Sequence, residues 1–474
     1  MSRILLISAN TTREPLPVYP LGIALVDAAL TARGHETRQI DLLRDLDSAP
    51  PSLERELAAF SPEFVGISIR NIDNVDSLSP DANWYIDDIR KLVKRVRESW
   101  KGPVIFGGPA FSIMPEIILD YAGGDYGIVG EGEVAFNLLV EQVNRGETPP
   151  RITGPLPRQM DAQDFHAPAY EQGLVNFYLD QTGMVNYQTK RGCPFGCNYC
   201  SYPLIEGRKF RFQDPGFVAE NLSRLKKDHG ADTVFFTDSV FNDPGGRYLE
   251  VAEALVRKNT GIRWAAYFRP DKISQENLAL LKASGLYAME VGSDAACDTT
   301  LAGINKTFGF DRIMAFNEAC IRAKIPCAHF FMFGGPGETQ ETIDEGLANI
   351  SRLRQTVVFA FSGIRILPDT GIEKIARKEG IIKESATLLR PEYYVSARIN
   401  KARMDRQLEN AFLRKKDRFF PPEKGQVRIN ALKVFGFKGL LWDMLLQTQP
   451  ARKRSRKMST TSDKEPTGRH HGLP

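Results

Sequence analysis

Short apolar runs alternate with amphipathic stretches over the first 146 residues. Ile4–Ser8, Thr37–Leu43, Phe64–Ile69, Val104–Phe106 and Tyr126–Val129 read as strands. Leu21–Ala32 reads as a helix stopped by Gly34, and Trp84–Trp100 as an amphipathic helix with a Lys/Arg face. Fully apolar strands between helices predict a doubly wound parallel sheet covered on both faces. Ligands of such sheets bind beyond the carboxyl ends of the strands. Here those ends carry Asn10, the Arg70–Asn74 loop, Gly107-Gly108 and Gly130-Glu131-Gly132-Glu133.

The alternation resumes over residues 185–385. Six strand candidates, Val185–Thr189, Thr233–Thr237, Arg263–Tyr267, Ala288–Val291, Cys327–Phe333 and Val357–Ile364, are separated by helical patterns. Six βα units are too many for a second small open sheet. They predict a partial (β/α)6 barrel of the TIM type, with its site at the carboxyl face. Residues 147–184 hold several prolines and little periodicity, and read as a linker packed between domains. Residues 386–448 read as mostly helical and end in the apolar segment Val434–Leu446, and 449–474 as a disordered basic tail. The expected order is a Rossmann-like α/β domain (1–146), the linker, the barrel (185–385), the helical region and the tail.

Composition narrows the class. With 474 residues, 42% hydrophobic and 25% charged, the chain is an ordinary globular one. No apolar run approaches the roughly 20 residues that span a bilayer, and the N-terminus has no secretory cleavage site. We therefore expect a cytoplasmic protein. The net charge of +4 is carried by residues 451–474, which hold +5, so the body is nearly neutral. That argues against a nucleic-acid partner, which needs positive charge on a folded face.

Three of the six cysteines fall within eight residues, in Lys190-Arg191-Gly192-Cys193-Pro194-Phe195-Gly196-Cys197-Asn198-Tyr199-Cys200. A short Gly- and Pro-containing loop can turn three thiolates toward one centre. Thiolates suit an iron–sulfur cluster or zinc, although zinc asks for a fourth ligand nearby. Three packed thiols are the third reading. Cys297, Cys320 and Cys327 are scattered and read as packed thiols.

This motif, with an aromatic residue before the third cysteine, resembles the signature of the radical S-adenosylmethionine (SAM) enzymes. Phe235–Asp238, Tyr267–Asp271, Glu290–Asp294 with Asn305-Lys306, Phe331–Thr339 and Ile366–Thr370 resemble the family's later strand segments in the same order. The resemblance covers about 200 residues and implies roles. Cys193, Cys197 and Cys200 would hold a [4Fe–4S] cluster whose open iron binds SAM. Tyr199 would lie near the adenine, and Asp294, where relatives have Glu or Gln, near the ribose. Arg269 and Glu290 would line the SAM pocket, and Asp238 would point into the barrel mouth. Hydrogen abstraction by a deoxyadenosyl radical would follow, with a flavodoxin or ferredoxin as electron donor.

Ahead of such a barrel, the first domain looks like a cobalamin-binding domain. The matching features are Pro20-Leu21-Gly22, Gly34-His35-Glu36, Gly107-Gly108-Pro109 and Gly130–Glu133. Asn71, Gly107, Gly108, Gly130 and Glu131 would then contact cobalamin. The Asp-x-His-x-x-Gly signature of a lower axial ligand is absent, and His35 precedes a strand, so no histidine is expected below the cobalt. This domain lacks cysteine, unlike methylthiotransferase relatives.

The resemblance implies a cobalamin-dependent methylation of an unactivated carbon in a small-molecule or lipid substrate. A radical cyclase or carbon–carbon rearrangement enzyme, without net methylation, is the alternative, and a non-catalytic sensor a more distant one. The loop Ser68-Ile69-Arg70-Asn71-Ile72-Asp73-Asn74 is similar to one in relatives associated with lipid biosynthesis, including ladderane-like pathways. Val434–Leu446 with Arg452–Lys457 leaves two readings: a helix docked on the barrel, which we favour, and a peripheral membrane contact.

Overall fold

The chain's short apolar strands fold as two parallel sheets. The computed structural model describes residues 1–46, 52–79, 84–156, 160–162 and 164–446. The first sheet contains β1 (Arg3–Ser8), β2 (Glu36–Asp41), β3 (Phe64–Ser68), β4 (Val104–Gly107), β5 (Tyr126–Ile128) and β6 (Ile152–Thr153), ordered β2-β1-β3-β4-β5-β6. Every pairing is parallel. Alternate side chains feed two cores. Ile4, Leu6, Ile105 and Ile128 pack with Leu30, Phe136 and Leu139 on one face. Leu5, Ile7, Val65 and Phe106 pack with Leu57, Ile89, Val96 and Leu119 on the other. This is the doubly wound sheet that the pattern predicts, and its strand order reverses at β1 and β3.

Residues 147–184 are more than a linker. Ile152–Thr153 adds the sixth strand to the first sheet, and Gln172–Thr182 is a helix. That helix joins the two units: the Tyr178 hydroxyl donates to Asp41 Oδ2 at 2.9 Å. A two-residue strand is too short to show a period of two, so the pattern could not reveal it.

The second sheet begins at β7 (Val185–Tyr187). β8 (Lys190–Arg191) and β9 (Arg211–Phe212) form an antiparallel ribbon around the cysteine loop. The barrel continues with β10 (Thr233–Phe236), β11 (Arg263–Phe268), β12 (Leu286–Asp294), β13 (Cys327–Phe333) and β14 (Val357–Ser362). A second ribbon joins β15 (Ile364–Arg365) to β16 (Tyr393–Tyr394), and β17 (Arg418–Phe419) pairs with β14. The order β17-β14-β13-β12-β11-β10-β7 is an open, six-unit barrel sheet with one added edge strand.

The barrel floor is closed by the C-terminal segment. Leu440, Leu441, Trp442 and Leu445 are buried with the lumen residues Phe235, Ala265, Ala288, Ala328 and Phe359. Trp442 meets Phe359 edge-on, with ring centroids 5.6 Å apart. This part of Val434–Leu446 therefore docks on the barrel, while Val434, Phe435 and Phe437 stay exposed. The expected basic tail, 449–474, lies outside the described residues. Among the described residues no helix is long and apolar enough to cross a membrane.

Candidate active site at the facing sheet ends

Cys193, Cys197 and Cys200 lie on the loop that leaves β8, at the carboxyl face of the barrel. Gly192 opens it at φ +86°, where a Cβ would sit 2.0 Å from the Lys209 carbonyl oxygen, so only glycine fits. The loop is pinned from several sides. Cys193 N donates to Gly207 O at 3.0 Å, and Ser239 Oγ to Gly192 O at 2.8 Å. Asn198 Nδ2 donates to Gly303 O at 2.7 Å, and Asn305 Nδ2 to Gly196 O at 2.5 Å. The Arg269 guanidinium stacks 4.0 Å over the Phe195 ring.

All three cysteines are free thiols; Cys193 is buried and the other two are half-buried. Burial pushes the Cys193 thiol up and the Cys200 thiol up to about 12, and each feels the charge of its neighbours. Such thiols keep their protons until a metal displaces them. Among the described residues, no three His, Cys, Asp or Glu side chains close on a single metal ion. Three thiols on one short loop are the donor set of an iron–sulfur cluster.

The motif residues around the loop separate into two groups. Tyr199 and Asp294 are brought together by Lys306, whose ammonium pairs with Asp294 and lies 5.4 Å from the Tyr199 ring centre. Burial pulls Lys306 down, but Asp294, Tyr199 and Cys197 outweigh that and raise it well above its ordinary value. Lys306 is thus the cation beside the thiols. The motif reading included it only as part of a segment, because a lysine after a strand carries no signature of its own. Arg269 is engaged by Asp271 and Thr307 as well as by Phe195, so it braces the loop.

Two assignments need correction. Asp238 does not point into the mouth. It is fully buried, and its oxygens accept from Thr189 N at 2.7 Å and Thr189 Oγ1 at 2.5 Å, beside Lys190. It anchors the strand that leads into the loop. Glu131 is likewise occupied: it accepts from Arg191, Arg211 and the Met160 amide. Glu131 and Glu133 clamp Arg191, two residues before Cys193, onto the first domain. A carboxylate at a strand end reads the same in sequence whether it faces a ligand or a neighbouring strand.

On the first sheet the remaining residues gather at the β1/β3 reversal. Asn71 Nδ2 lies 3.4 Å from both Asn10 Oδ1 and Thr12 Oγ1. Asn10 Nδ2 is buried without a partner. Gly108, at φ +94°, has room for no side chain, because a Cβ would lie 2.7 Å from Ile69 O. A Cβ on Gly107 would meet nothing closer than 3.9 Å. Gly130 approaches Ile205 of the barrel domain. His35 is a packed residue: Nδ1 accepts from Ser2 N at 3.2 Å and Nε2 bonds Asn137 Oδ1 at 3.0 Å.

The two sheets turn their carboxyl ends toward each other. Asp73, after β3, pairs with Arg365 on β15 at 2.8 Å, both almost fully buried. Trp84 Nε1 donates to Leu389 O at 2.9 Å. Tyr202 and Tyr267 are 37% and 41% exposed, and desolvation raises both hydroxyls well above their ordinary range. Arg70, from the first domain, is within electrostatic reach of both. A separate shallow cavity of about 280 Å³, lined by Gly183, Asp232, Arg263, Tyr287 and Lys438 among others, is at the amino ends of the barrel strands, away from the thiols.

Residues 8–140 match the family described as B12 binding domain, and residues 187–350 match the Radical SAM superfamily. The chain thus carries a B12-binding domain followed by a radical SAM domain. A tryptophan 2-C-methyltransferase of Streptomyces laurentii is 25% identical, over 78% of this chain and 74% of that one. A hopanoid C-3 methylase of Methylococcus capsulatus is 29% identical, over 60% of this chain and 55% of the other. The structure of the radical SAM methyltransferase TsrM of Kitasatospora setae, with cobalamin and a [4Fe–4S] cluster bound, superposes with a TM-score of 0.83. It is 21% identical and covers 94% of this chain and 98% of that one, which establishes the shared fold.

The residues present fit the cofactors of these two domains. The three thiols suit a [4Fe–4S] cluster, and Lys306 beside them offers a cation to the anionic assembly. Cobalamin would meet an unpartnered buried amide, Asn10 Nδ2, and open backbone at Gly107.

Proposed function

We propose that this chain is a cobalamin-dependent radical SAM methyltransferase acting on an unactivated carbon of a small molecule. The observation that carries this reading is the meeting of the thiol loop's end with the glycine-edged carboxyl end of the first sheet, where Gly130 lies against Ile205. When bound, the cluster supplies an electron to cleave SAM, and cobalamin supplies a methyl carrier. The protein's part is placement and exclusion. Cys193, Cys197 and Cys200 hold the cluster, while Lys306 offsets its charge. Tyr199 and Asp294 flank SAM, and Asn71, Gly107, Gly108 and Gly130 border cobalamin. Arg191, Arg365 and Trp84 keep the two domains pressed together, which shields a radical from water.

Residues 1–146 form the cobalamin unit and 185–385 the radical unit in this reading, with 147–184 bracing them. A flavodoxin or ferredoxin delivers the electron. The exposed Val434, Phe435 and Phe437 would let the chain rest on an anionic membrane if its substrate is a lipid, which cosedimentation with phosphatidylglycerol vesicles tests. The hopanoid methylases among the relatives favour that substrate, and the tryptophan methyltransferase an aromatic one.

The test uses anaerobically reconstituted protein. About four irons and one cobalamin per chain, with 5′-deoxyadenosine or S-adenosylhomocysteine formed from SAM, support the proposal. Four irons without cobalamin uptake would remove the methylation reading. 5′-Deoxyadenosine without S-adenosylhomocysteine would favour a cyclase or rearrangement.

A further inference from the structure

Among the described residues, the barrel lumen carries one carboxyl with no hydrogen bond or ion pair from the protein. Glu290 lies on β12, where half-buried Glu290, Gly292 and Asp294 alternate with buried Val291 and Ser293. Its neighbours across the ladder are Tyr267 on β11 and Ala328 on β13. Tyr267 packs edge-on against Phe235, with ring centroids 4.9 Å apart. Nearby carboxylates are matched: Asp294 has Lys306, Asp238 has Lys190, and Glu133 has Arg191. Burial raises the Glu290 carboxyl to about 8. Arg70, from the first domain, is within electrostatic reach of Tyr202 and Tyr267.

Glu290 is half-buried on the lumen face of the sheet, and a carboxyl there without a protein partner is costly. A residue kept for stability would have a partner within the protein. Here the partner is missing, while aromatic faces and water-accessible space are present. Aromatic rings and a carboxyl together are the chemistry that receives an organic cation.

We propose that Glu290 recognises the substrate, receiving the ammonium group of an amine whose aromatic or apolar body lies against Tyr267 and Phe235. This rests on the methyltransferase reading and narrows its substrate class to primary or secondary amines. The bound ammonium provides the counter-charge that the protein withholds. Glu290 thus faces the substrate, rather than lining the SAM pocket as the motif implies, and leaves Asp294, two pleat repeats further along β12, toward the cofactor side.

The experiment titrates the reconstituted holoenzyme by calorimetry with tryptamine and with indole-3-propionate, two probes of equal ring and opposite charge. The wild type is expected to bind tryptamine at least about tenfold more tightly, the worth of one charge-assisted hydrogen bond. Glu290→Gln is expected to erase that preference, and Glu290→Asp to restore part of it. Thermal melting of the cofactor-free chains supplies an independent readout: Glu290→Gln should melt above the wild type, because it removes an uncompensated acid. Equal binding of the two probes by the wild type, an unchanged preference in Glu290→Gln, or a lower melting temperature would each overturn the proposal. Iron and cobalamin content of the wild type, measured alongside, reports separately on the methyltransferase reading. A chain that takes up neither cofactor fails that reading, whatever the melting and binding of Glu290→Gln show.

Discussion

The two parallel sheets of this protein share an architecture and differ in what they place at their carboxyl ends. The barrel presents reactive side chains: three thiols, the Lys306–Asp294 pair and an unpaired Glu290. The first sheet presents backbone, two glycines and the free amide of Asn10. A cluster must be bonded to the chain, so its site needs specific ligands. A large preformed cofactor brings its own metal, so its site needs mainly shape and a few polar contacts. The same contrast explains why one region carries a sharp motif and the other only a pattern of glycines.

Replacing the thiols breaks the comparison most completely. Cys193→Ala should lower iron to background and cut 5′-deoxyadenosine formation by about a thousandfold or more, while cobalamin uptake persists. Iron analysis and absorbance of the bound corrinoid check both halves. Loss of cobalamin together with iron would show that the two regions do not load separately.

The next effect tests how far the regions depend on each other. Removing one partner of a buried ion pair typically costs about 3–5 kcal/mol. Arg365→Met should therefore destabilise the chain strongly in denaturant melts, since Asp73 is left charged and only 2% exposed. The double variant Asp73→Leu, Arg365→Met should recover most of that loss. Failure to recover would mean that the pair does more than neutralise itself.

A smaller change sharpens the difference in kind. Gly108→Val places a Cβ against Ile69 O at a positive φ, with an expected cost of about 1–3 kcal/mol. Cobalamin affinity should fall while iron content stays at the wild-type level. The two cofactor assays, run on the same sample, read both.

The smallest effect is in the pH dependence. Asp41 in the first domain is raised to about 6 and Glu290 in the barrel to about 8, in both cases mainly by burial. Between the unfolded and folded values the native state binds more protons than the unfolded one, so stability falls as pH rises. Asp41 completes its share near pH 6. Glu290 continues to about pH 8, with a slope of at most about 1.4 kcal/mol per pH unit. Melting curves from pH 6 to 9 should therefore be flatter in Glu290→Gln than in the wild type. Parallel curves would assign the slope to other groups.

The alternation of apolar runs determined the two parallel sheets, and the spacing of Cys193, Cys197 and Cys200 determined the cluster loop. Both are local properties: a period of two or 3.6 and a loop of eight residues are written in consecutive positions. Tertiary structure decided what the strand-end carboxylates do. In sequence, Asp238, Glu131 and Glu290 look alike, each placed just after or within an apolar strand. Folding brought Lys190 to the first and Arg191 with Arg211 to the second, and nothing to the third. It also turned Leu440–Leu445 into the barrel floor and drew Ile152–Thr153 into the first sheet. A side chain's role depends on which distant group neutralises it, and that partner is chosen by packing.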